Sequence, residues 1–186
     1  MKYNPEMDGI DHINIYSRSR IKLGRELSHF ANMPINIPEH GAFSSVEGYW
    51  YWLSCHRDEL RELHGLEAKK VGRELRRANR ELPDTHPDKK FAINENFNEL
   101  IMAANRIKID TYPDLKHQLV SSSLPLVHYY VVTKNGKRVS QEIDHGSWIW
   151  EDISRYRSEL KGQPEKKIKK TCDIEKETEG DQFSLF

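Results

Sequence analysis

The sequence predicts an α+β fold, a mainly helical single domain with a small antiparallel sheet, followed by a disordered C-terminal tail. Three observations predict it. Apolar residues recur at helical spacing in several segments, residues 126–143 have the pattern of a β-hairpin, and the charges after residue 160 separate into blocks. We therefore expect a folded domain over residues 1–160 and a flexible tail over residues 161–186.

The composition excludes several classes of protein. Of 186 residues, 37% are hydrophobic and 31% are charged, and the formal net charge is zero. Attraction to nucleic acid would therefore have to come from local clusters of basic residues. No apolar run has the length of a membrane span, and the N-terminus lacks the apolar core of a signal peptide, so we expect a cytoplasmic protein with no membrane partner.

Two parts of the sequence are typical of strands. Residues 10–16 alternate apolar and polar side chains, and residues 126–132 are rich in β-branched and aromatic residues. The Asn135-Gly136 pair favours a tight hairpin turn, with residues 137–143 as the returning strand. Residues 33–41 contain two prolines and a glycine, which predict an irregular loop. The basic residues 17–22 either bind phosphate or form a solvated loop.

Five segments have helical periodicity: residues from 46 onward, 65–82, 96–107, 114–121 and 148–160. In the second of them, Arg73, Arg76, Arg77 and Arg80 are expected opposite an apolar face of Val71, Leu75, Ala78 and Leu82. Four arginines on one face repel one another unless an anion lies against them. They are candidate contacts to a DNA backbone, and the alternative is a solvated face tempered by glutamates.

The start of the first long helix carries the most distinctive chemistry. Ser44-Ser45-Val46-Glu47 has the form of a capping box, in which Ser44 binds the Glu47 N–H and the Glu47 carboxylate reaches back. The same carboxylate could instead serve as a general base or stabilise an oxocarbenium ion. We expect the helix dipole to lower its pKa and favour the ionised role. Tyr51 and Trp52 either pack in the interior or stack on a ligand base.

The order of three short motifs resembles the NADAR family. They are Leu-Ser-His-Phe at residues 27–30, Ser-Val-Glu at residues 45–47 and Ala-Lys-x-x-Gly-Arg at residues 68–73. The sequence departs from the family at His29, Gly48, Tyr51 and Ser54, where the family has asparagine, histidine, glutamine and lysine. The resemblance covers residues 13–130, and it implies a NADAR-like domain that is similar to riboflavin-pathway N-glycosidases and to enzymes that remove ADP-ribose from guanine.

The resemblance implies a set of site residues. Glu47 is the expected catalytic carboxylate. The expected substrate-binding residues are Lys22, Ser28, Phe30, Tyr49, Trp52 and Arg73. Lys22 stands in for the absent lysine of the family, and Arg73 is placed near the phosphates of the ligand. Such chemistry requires no metal and no cofactor. His128 and His145 are either acid–base groups or structural histidines.

The tail ends in a short apolar motif. Residues 161–170 carry five lysines and one glutamate, a net charge of +4, and residues 171–186 carry five acids and one lysine, a net charge of −4. The terminal Gln-Phe-Ser-Leu-Phe resembles the peptide that docks in the bacterial DNA sliding clamp, with Gln182, Leu185 and Phe186 as the contact residues. The alternative is that this end folds back on the domain.

Together these features predict an N-glycosidase that removes ADP-ribose from guanine in DNA, countering a DNA-modifying toxin and tethered to the sliding clamp. Two alternatives stay open. One is a glycosidase of a phosphorylated ribosylamino-pyrimidine, and the other is a module that binds ADP-ribose or a protein without cleaving anything.

Overall fold

A computed structural model describes residues 3–162 except 92, 94, 144 and 145. Its helices are α1 (Lys22–Leu27), α2 (Val46–Cys55), α3 (Gly65–Glu81), α4 (Phe97–Thr111), α5 (Pro113–Ser121) and α6 (Ser147–Lys161). Its strands are β1 (Ile13–Asn14), β2 (Ile35–Ile37), β3 (Gly41–Phe43), β4 (Leu126–Val127), β5 (Tyr129–Lys134) and β6 (Lys137–Glu142). The predicted α+β class is confirmed: the fold is mainly helical with small strand pairs.

The strands form three separate pairs. β2 with β3 and β5 with β6 are antiparallel hairpins, and β1 lies parallel to β4 with Ile13 opposite Leu126. The predicted β5–β6 turn is confirmed, because Asn135 and Gly136 both have positive φ (52° and 72°), as a type I′ turn requires. The predicted single strand of residues 126–132 is interrupted at His128. Its ring Nδ1 lies 2.6 Å from the carbonyl of Ile15.

The prediction of an irregular loop at residues 33–41 was wrong. Residues 35–37 and 41–43 pair as a hairpin, and Glu39 in its turn and Gly41 at the start of β3 both have positive φ. Pro34 and Pro38 lie just outside the first strand, where a missing N–H breaks no ladder hydrogen bond. The prolines therefore flank the strand and do not prevent it from forming.

Two apolar clusters make up the core. One gathers β2, β3, α2, the 3-10 helix Asp58–Glu62 and α4, and it includes Phe43, Tyr49 and Leu53. The other joins β1, α1, α5 and α6, and it includes Ile13, Leu27 and Ile153. Helix α2 packs tightly against α3. A Cβ at Gly72 of α3 would overlap the Tyr51 ring of α2. This close approach fixes α3 against the start of α2.

The core face of α3 differs from the predicted one. Its buried residues are Ala68, Gly72 and Asn79, whereas Ala78 is exposed. Helical spacing alone does not show that a glycine and an asparagine occupy the packed face.

The last helix, α6, extends to Lys161, one residue past the expected end of the domain. Residues 163–186, including the predicted clamp motif, lie outside the described residues.

Candidate active site

A cavity of about 120 Å³ opens beside the first turn of α2. Glu47 lines it together with side chains from four other parts of the chain. Those side chains belong to the β1 end (Ile15, Tyr16, Ser17), the turn before β2 (Ser28, His29, Phe30), α3 (Lys69) and the C-terminal half (His128, Tyr130, Ile149, Trp150). The cavity is therefore assembled from segments far apart in the chain and cannot form from any single element.

Glu47 is held in place by its backbone and not by its carboxylate. Its N–H donates to the carbonyl of His29 (3.0 Å), which joins the start of α2 to the turn of residues 27–30. The residue is 9% exposed. Within the described part of the chain its carboxylate accepts no hydrogen bond, although Lys69 and Arg73 lie close enough to act on it electrostatically. A largely buried carboxylate that lines a cavity and has no protein hydrogen-bond partner is suited to a ligand or a water molecule.

The predicted capping box does not form. Ser45, not Ser44, caps α2: its hydroxyl accepts from the Gly48 N–H (3.0 Å) and donates to the Leu63 carbonyl (2.8 Å). Gly48 permits this arrangement, since a Cβ there would collide with the carbonyl of Leu60. Because Ser45 supplies the cap, the Glu47 carboxylate is available to the cavity.

The expected direction of the Glu47 pKa shift was also wrong. Burial raises its pKa from 4.5 to about 7, and the positive charges of Lys69 and Arg73 offset only part of that rise. A helix N-terminus contributes about 1 kcal/mol or less in most settings, whereas loss of hydration can move a carboxyl pKa by several pH units. At neutral pH the group is therefore divided between its acid and base forms, as a general acid–base catalyst requires.

His29 lines the same cavity as a neutral ring. Burial, with the charges of Lys108 and His128, lowers its pKa to about 3, and the hydrogen bond with Asn105 offsets this in part. Asn105 Nδ2 donates to His29 Nε2 (3.1 Å), so the ring proton is on Nδ1. His29 therefore offers a polar, uncharged contact at the position where the family that the sequence resembles has asparagine.

A larger groove continues from the cavity. We call it the entrance groove; it measures about 730 Å³ and shares Tyr16, Ser17, Phe30, Lys69 and Tyr130 with the cavity. Its own lining adds Arg18, Leu66, Lys70, Arg73 and Glu74. The Lys69 ammonium lies 5.5 Å from the Phe30 ring and 5.7 Å from the Tyr130 ring, at the boundary of the two spaces. Aromatic faces and basic groups therefore meet at the mouth of the cavity.

The structure brings some predicted residues to this site and not others. Glu47, Ser28 and Phe30 line the cavity, and Arg73 lines the entrance groove. Lys22 does not: it is at the surface in an ion pair with Glu26 (3.4 Å). Tyr49 is fully buried, with its hydroxyl bonded to His40 Nδ1 (2.8 Å).

The indole of Trp52 is also directed elsewhere, because its Nε1 donates to Asp58 (3.3 Å). Lys22, Tyr49 and Trp52 therefore lie outside the cavity lining, contrary to the role expected of them.

The predicted arginine face also divides. Arg76 and Arg80 line a second groove of about 420 Å³, with Ser54, Asn79, Lys89, Lys90 and Phe91. Arg77 lines neither groove and pairs at 4.0 Å with Glu81.

Sequence reasoning did not select Lys69, Tyr130 or Trp150 as site residues. Lys69 could have been predicted as a site residue, because it lies four residues before Arg73 on the same helix face.

The remaining sequence predictions concern a metal site, a membrane span and two histidines. Among the described residues, no three His, Cys, Asp or Glu side chains gather closely enough to hold a metal ion. None of the helices in that part of the chain is both long and apolar enough to cross a membrane. His145 lies outside the described residues, and His128 lines the cavity among the rings of Tyr16, Tyr130 and Trp150.

A comparison with solved structures gives one match. The NMR structure of the E. coli protein YbiA is 20% identical in sequence, and the alignment covers 86% of this chain and 91% of that chain, with a TM-score of 0.49. No protein-family model matches the chain, and no curated protein matches it.

Proposed function

We propose that the protein is an N-glycosidase that removes ADP-ribose from guanine bases in DNA. The observation that carries the proposal is the Glu47 carboxylate, which lies in a cavity without a hydrogen-bond partner in the described chain and has a pKa of about 7. A carboxyl group of this pKa can exchange a proton with water or a leaving group at neutral pH.

The reaction needs few groups. The bond between ribose C1 and the guanine nitrogen breaks, its electron pair leaves with the base, and an oxocarbenium-like sugar is left. Ionised Glu47 stabilises that cation and takes a proton from the attacking water, whose oxygen bonds to C1. The base nitrogen gains a proton, which protonated Glu47 can return. Glu47 is the one carboxylate among the described residues of the cavity lining, so both proton transfers fall to it.

The volumes of the two spaces suit the two parts of the substrate. The cavity holds about 120 Å³ and the entrance groove about 730 Å³. The reacting ribose therefore enters the cavity, while the pyrophosphate and adenosine lie in the groove. Arg18, Lys70 and Arg73 supply cations for the phosphates there, and Phe30 and Tyr130 provide ring surface at the mouth for the base.

Activity of the Glu47→Gln variant tests the proposal. The amide keeps the shape of the side chain but cannot accept the proton, so we expect release of ADP-ribose from an ADP-ribosylated guanine oligonucleotide to fall by about 10²–10⁴-fold, the usual contribution of a general base. Binding of the oligonucleotide should persist. Glu67→Gln, an exposed change in the first turn of α3, is the matched control and should retain wild-type activity.

The pH dependence sharpens the same experiment. Ionised Glu47 is the active form, so kcat/KM should rise about tenfold per pH unit below pH 7 and level off above it. Binding without release by the wild-type protein would indicate a non-catalytic module. Cleavage of a phosphorylated ribosylamino-pyrimidine but not of the oligonucleotide would indicate a metabolite glycosidase. Indifference to all of these ligands would reject the proposal.

The proposal places the enzyme in DNA repair, against a toxin that modifies guanine. The sliding-clamp motif of Gln182, Leu185 and Phe186 would hold the enzyme near replicating DNA, and it stays a prediction from the sequence.

A further inference from the structure

The second groove is a built surface, not a chance cluster of side chains. Asn79 of α3 clamps one wall, because its amide donates to the Lys90 carbonyl (2.8 Å) and accepts from the Lys90 N–H (2.9 Å). Lys89 closes the end of α3 by donating to the carbonyls of Leu82 (2.7 Å) and Arg80 (3.2 Å). Residues 89–91 are therefore fixed against the helix.

The lining of this groove is strongly cationic. Four basic side chains reach it, Arg76, Arg80, Lys89 and Lys90, and none of the described residues that line it carries a carboxylate. One of the four, Lys89, is partly compensated, because the Asp84 carboxylate lies 3.6 Å from its ammonium at the end of the helix. Four cations along one groove with so little compensation favour a polyanion as the occupant.

An aromatic ring stands at the edge of the same groove. Phe91 is 70% exposed, although large apolar side chains are normally buried. The backbone just beyond it is anchored, since the Ile93 N–H donates to the Leu53 carbonyl (2.9 Å). An exposed ring on an anchored backbone, next to a row of cations, is the arrangement by which proteins stack unpaired bases while they follow the sugar–phosphate chain.

One helix face connects the second groove with the candidate active site. Lys69, Arg73, Arg76 and Arg80 follow one another at three- or four-residue intervals along α3, so they form a continuous cationic stripe. Lys69 and Arg73 line the entrance groove, whereas Arg76 and Arg80 line the second groove. The stripe spans about 16 Å at 1.5 Å per residue, which is the length of several stacked nucleotides.

We infer that the second groove binds single-stranded DNA. The strand follows the α3 stripe, with its phosphates on Arg76, Arg80 and Lys90 and one unpaired base on Phe91, on its way to the cavity of Glu47. This inference rests on the proposed function for the identity of the strand, and it assigns to the groove a contact several nucleotides away from the modified guanine.

Binding of an unmodified oligonucleotide tests the inference independently of cleavage. The probe is a fluorescent oligothymidine of about 16 nucleotides, a length within the range that single-strand sites cover. We expect Arg80→Glu and Lys90→Glu each to weaken its binding on the order of tenfold at low salt, and each to reduce the slope of log K against log salt by about 0.7. Phe91→Ala should weaken binding about fivefold or more without changing that slope.

Arg77→Glu is the matched control. Arg77 lies on the same helix three residues from Arg80 and carries the same charge, but it lines neither groove. We expect it to retain most of the affinity. Equal losses in Arg77→Glu and Arg80→Glu would show attraction to the overall field of the helix and would overturn the inference.

Two further outcomes would also overturn it. One is tighter binding of a duplex of the same length, whose paired bases cannot stack on Phe91. The other is full displacement of the probe by an acidic peptide together with an unaffected Phe91→Ala variant.

Thermal melting of each variant checks its fold. If Arg80→Glu is unstable, the Lys90→Glu and Phe91→Ala variants test the inference in its place. Loss of strand binding with intact hydrolysis of ADP-ribosylated guanosine would reject the groove alone, whereas inactive enzyme with intact strand binding would reject the glycosidase alone.

Discussion

Glu47 at the start of α2 and Lys108 within α4 are both buried ionisable residues, but their surroundings differ. Both lie against the turn of residues 27–30: the Glu47 N–H binds the His29 carbonyl, and Lys108 Nζ donates to the carbonyls of Leu27 and Ser28 (both 3.0 Å). The Lys108 ammonium is therefore used within the fold, whereas the Glu47 carboxylate has no such partner in the described chain. Burial alone does not distinguish a functional group from a structural one; hydrogen bonding does.

Burial moves the two pKa values toward each other from opposite sides. It raises that of Glu47 from 4.5 to about 7 and lowers that of Lys108 from 10.5 to about 7, with Glu26 offsetting the latter in part. Each shift disfavours the charged form in the folded protein. The two residues therefore affect stability with opposite dependence on pH, and this provides a direct way to separate them.

The largest expected effect on stability comes from Glu47→Gln. The folded pKa of Glu47 lies above the unfolded value, so its contribution is full below pH 4.5 and is lost as the pH rises through about 7. A shift of this size corresponds to about 3 kcal/mol. The variant should match the wild type near pH 4 and exceed its free energy of unfolding by up to about 3 kcal/mol at pH 8.

Urea denaturation across this pH range measures the difference, with Glu67→Gln as the exposed control that should show none of it. A Glu47→Gln variant that is less stable than the wild type at pH 8 would mean that the carboxylate is paired in the fold, and the comparison would fail.

Lys108→Met should show the reverse trend. The folded pKa of Lys108 lies below the unfolded value, so the wild type gains stability as the pH rises from about 7 towards 10.5. Methionine does not titrate, so the variant does not gain this stability. Between pH 7 and pH 9 the loss caused by the substitution should grow by about 2 to 3 kcal/mol. The carbonyls of Leu27 and Ser28 also lose their donor.

The same denaturation series checks this, with Lys134→Met at the exposed end of β5 as the control. A deficit of Lys108→Met that is independent of pH would show that the lysine keeps its charge in the fold.

The contrast also shows what the sequence could predict. Helices α2 to α6 and the Asn135-Gly136 hairpin follow from periodicity and turn chemistry, which are local. The selection of Glu47 came from its position at a predicted helix N-terminus and from the family resemblance. Its pKa was predicted in the wrong direction because burial is set by elements far apart in the chain, from Ile15 to Trp150.

Lys108 was missed for a related reason. The predicted helix ended at residue 107, whereas α4 continues to Thr111, so a lysine just past the apolar stripe gave no sign of pointing inward. Its carbonyl partners are about 80 residues away in sequence. Long-range hydrogen bonds of this kind leave no periodic signal.

Lys22 gives the smallest expected effect and completes the comparison. The sequence offered it as a substitute for the absent family lysine and as a contact to the phosphates, but in the structure its side chain is 60% exposed and paired with Glu26. An exposed pair of this kind contributes about 0.3–0.5 kcal/mol. Lys22→Ala should therefore change the free energy of unfolding by no more than that and leave kcat/KM for the ADP-ribosylated oligonucleotide unchanged. Lys69→Ala, at the cavity mouth, is the matched substitution that should raise KM. A large loss in Lys22→Ala alone would mean that α1 moves towards the substrate on binding, and the cation beside Glu47 would then be Lys22 and not Lys69.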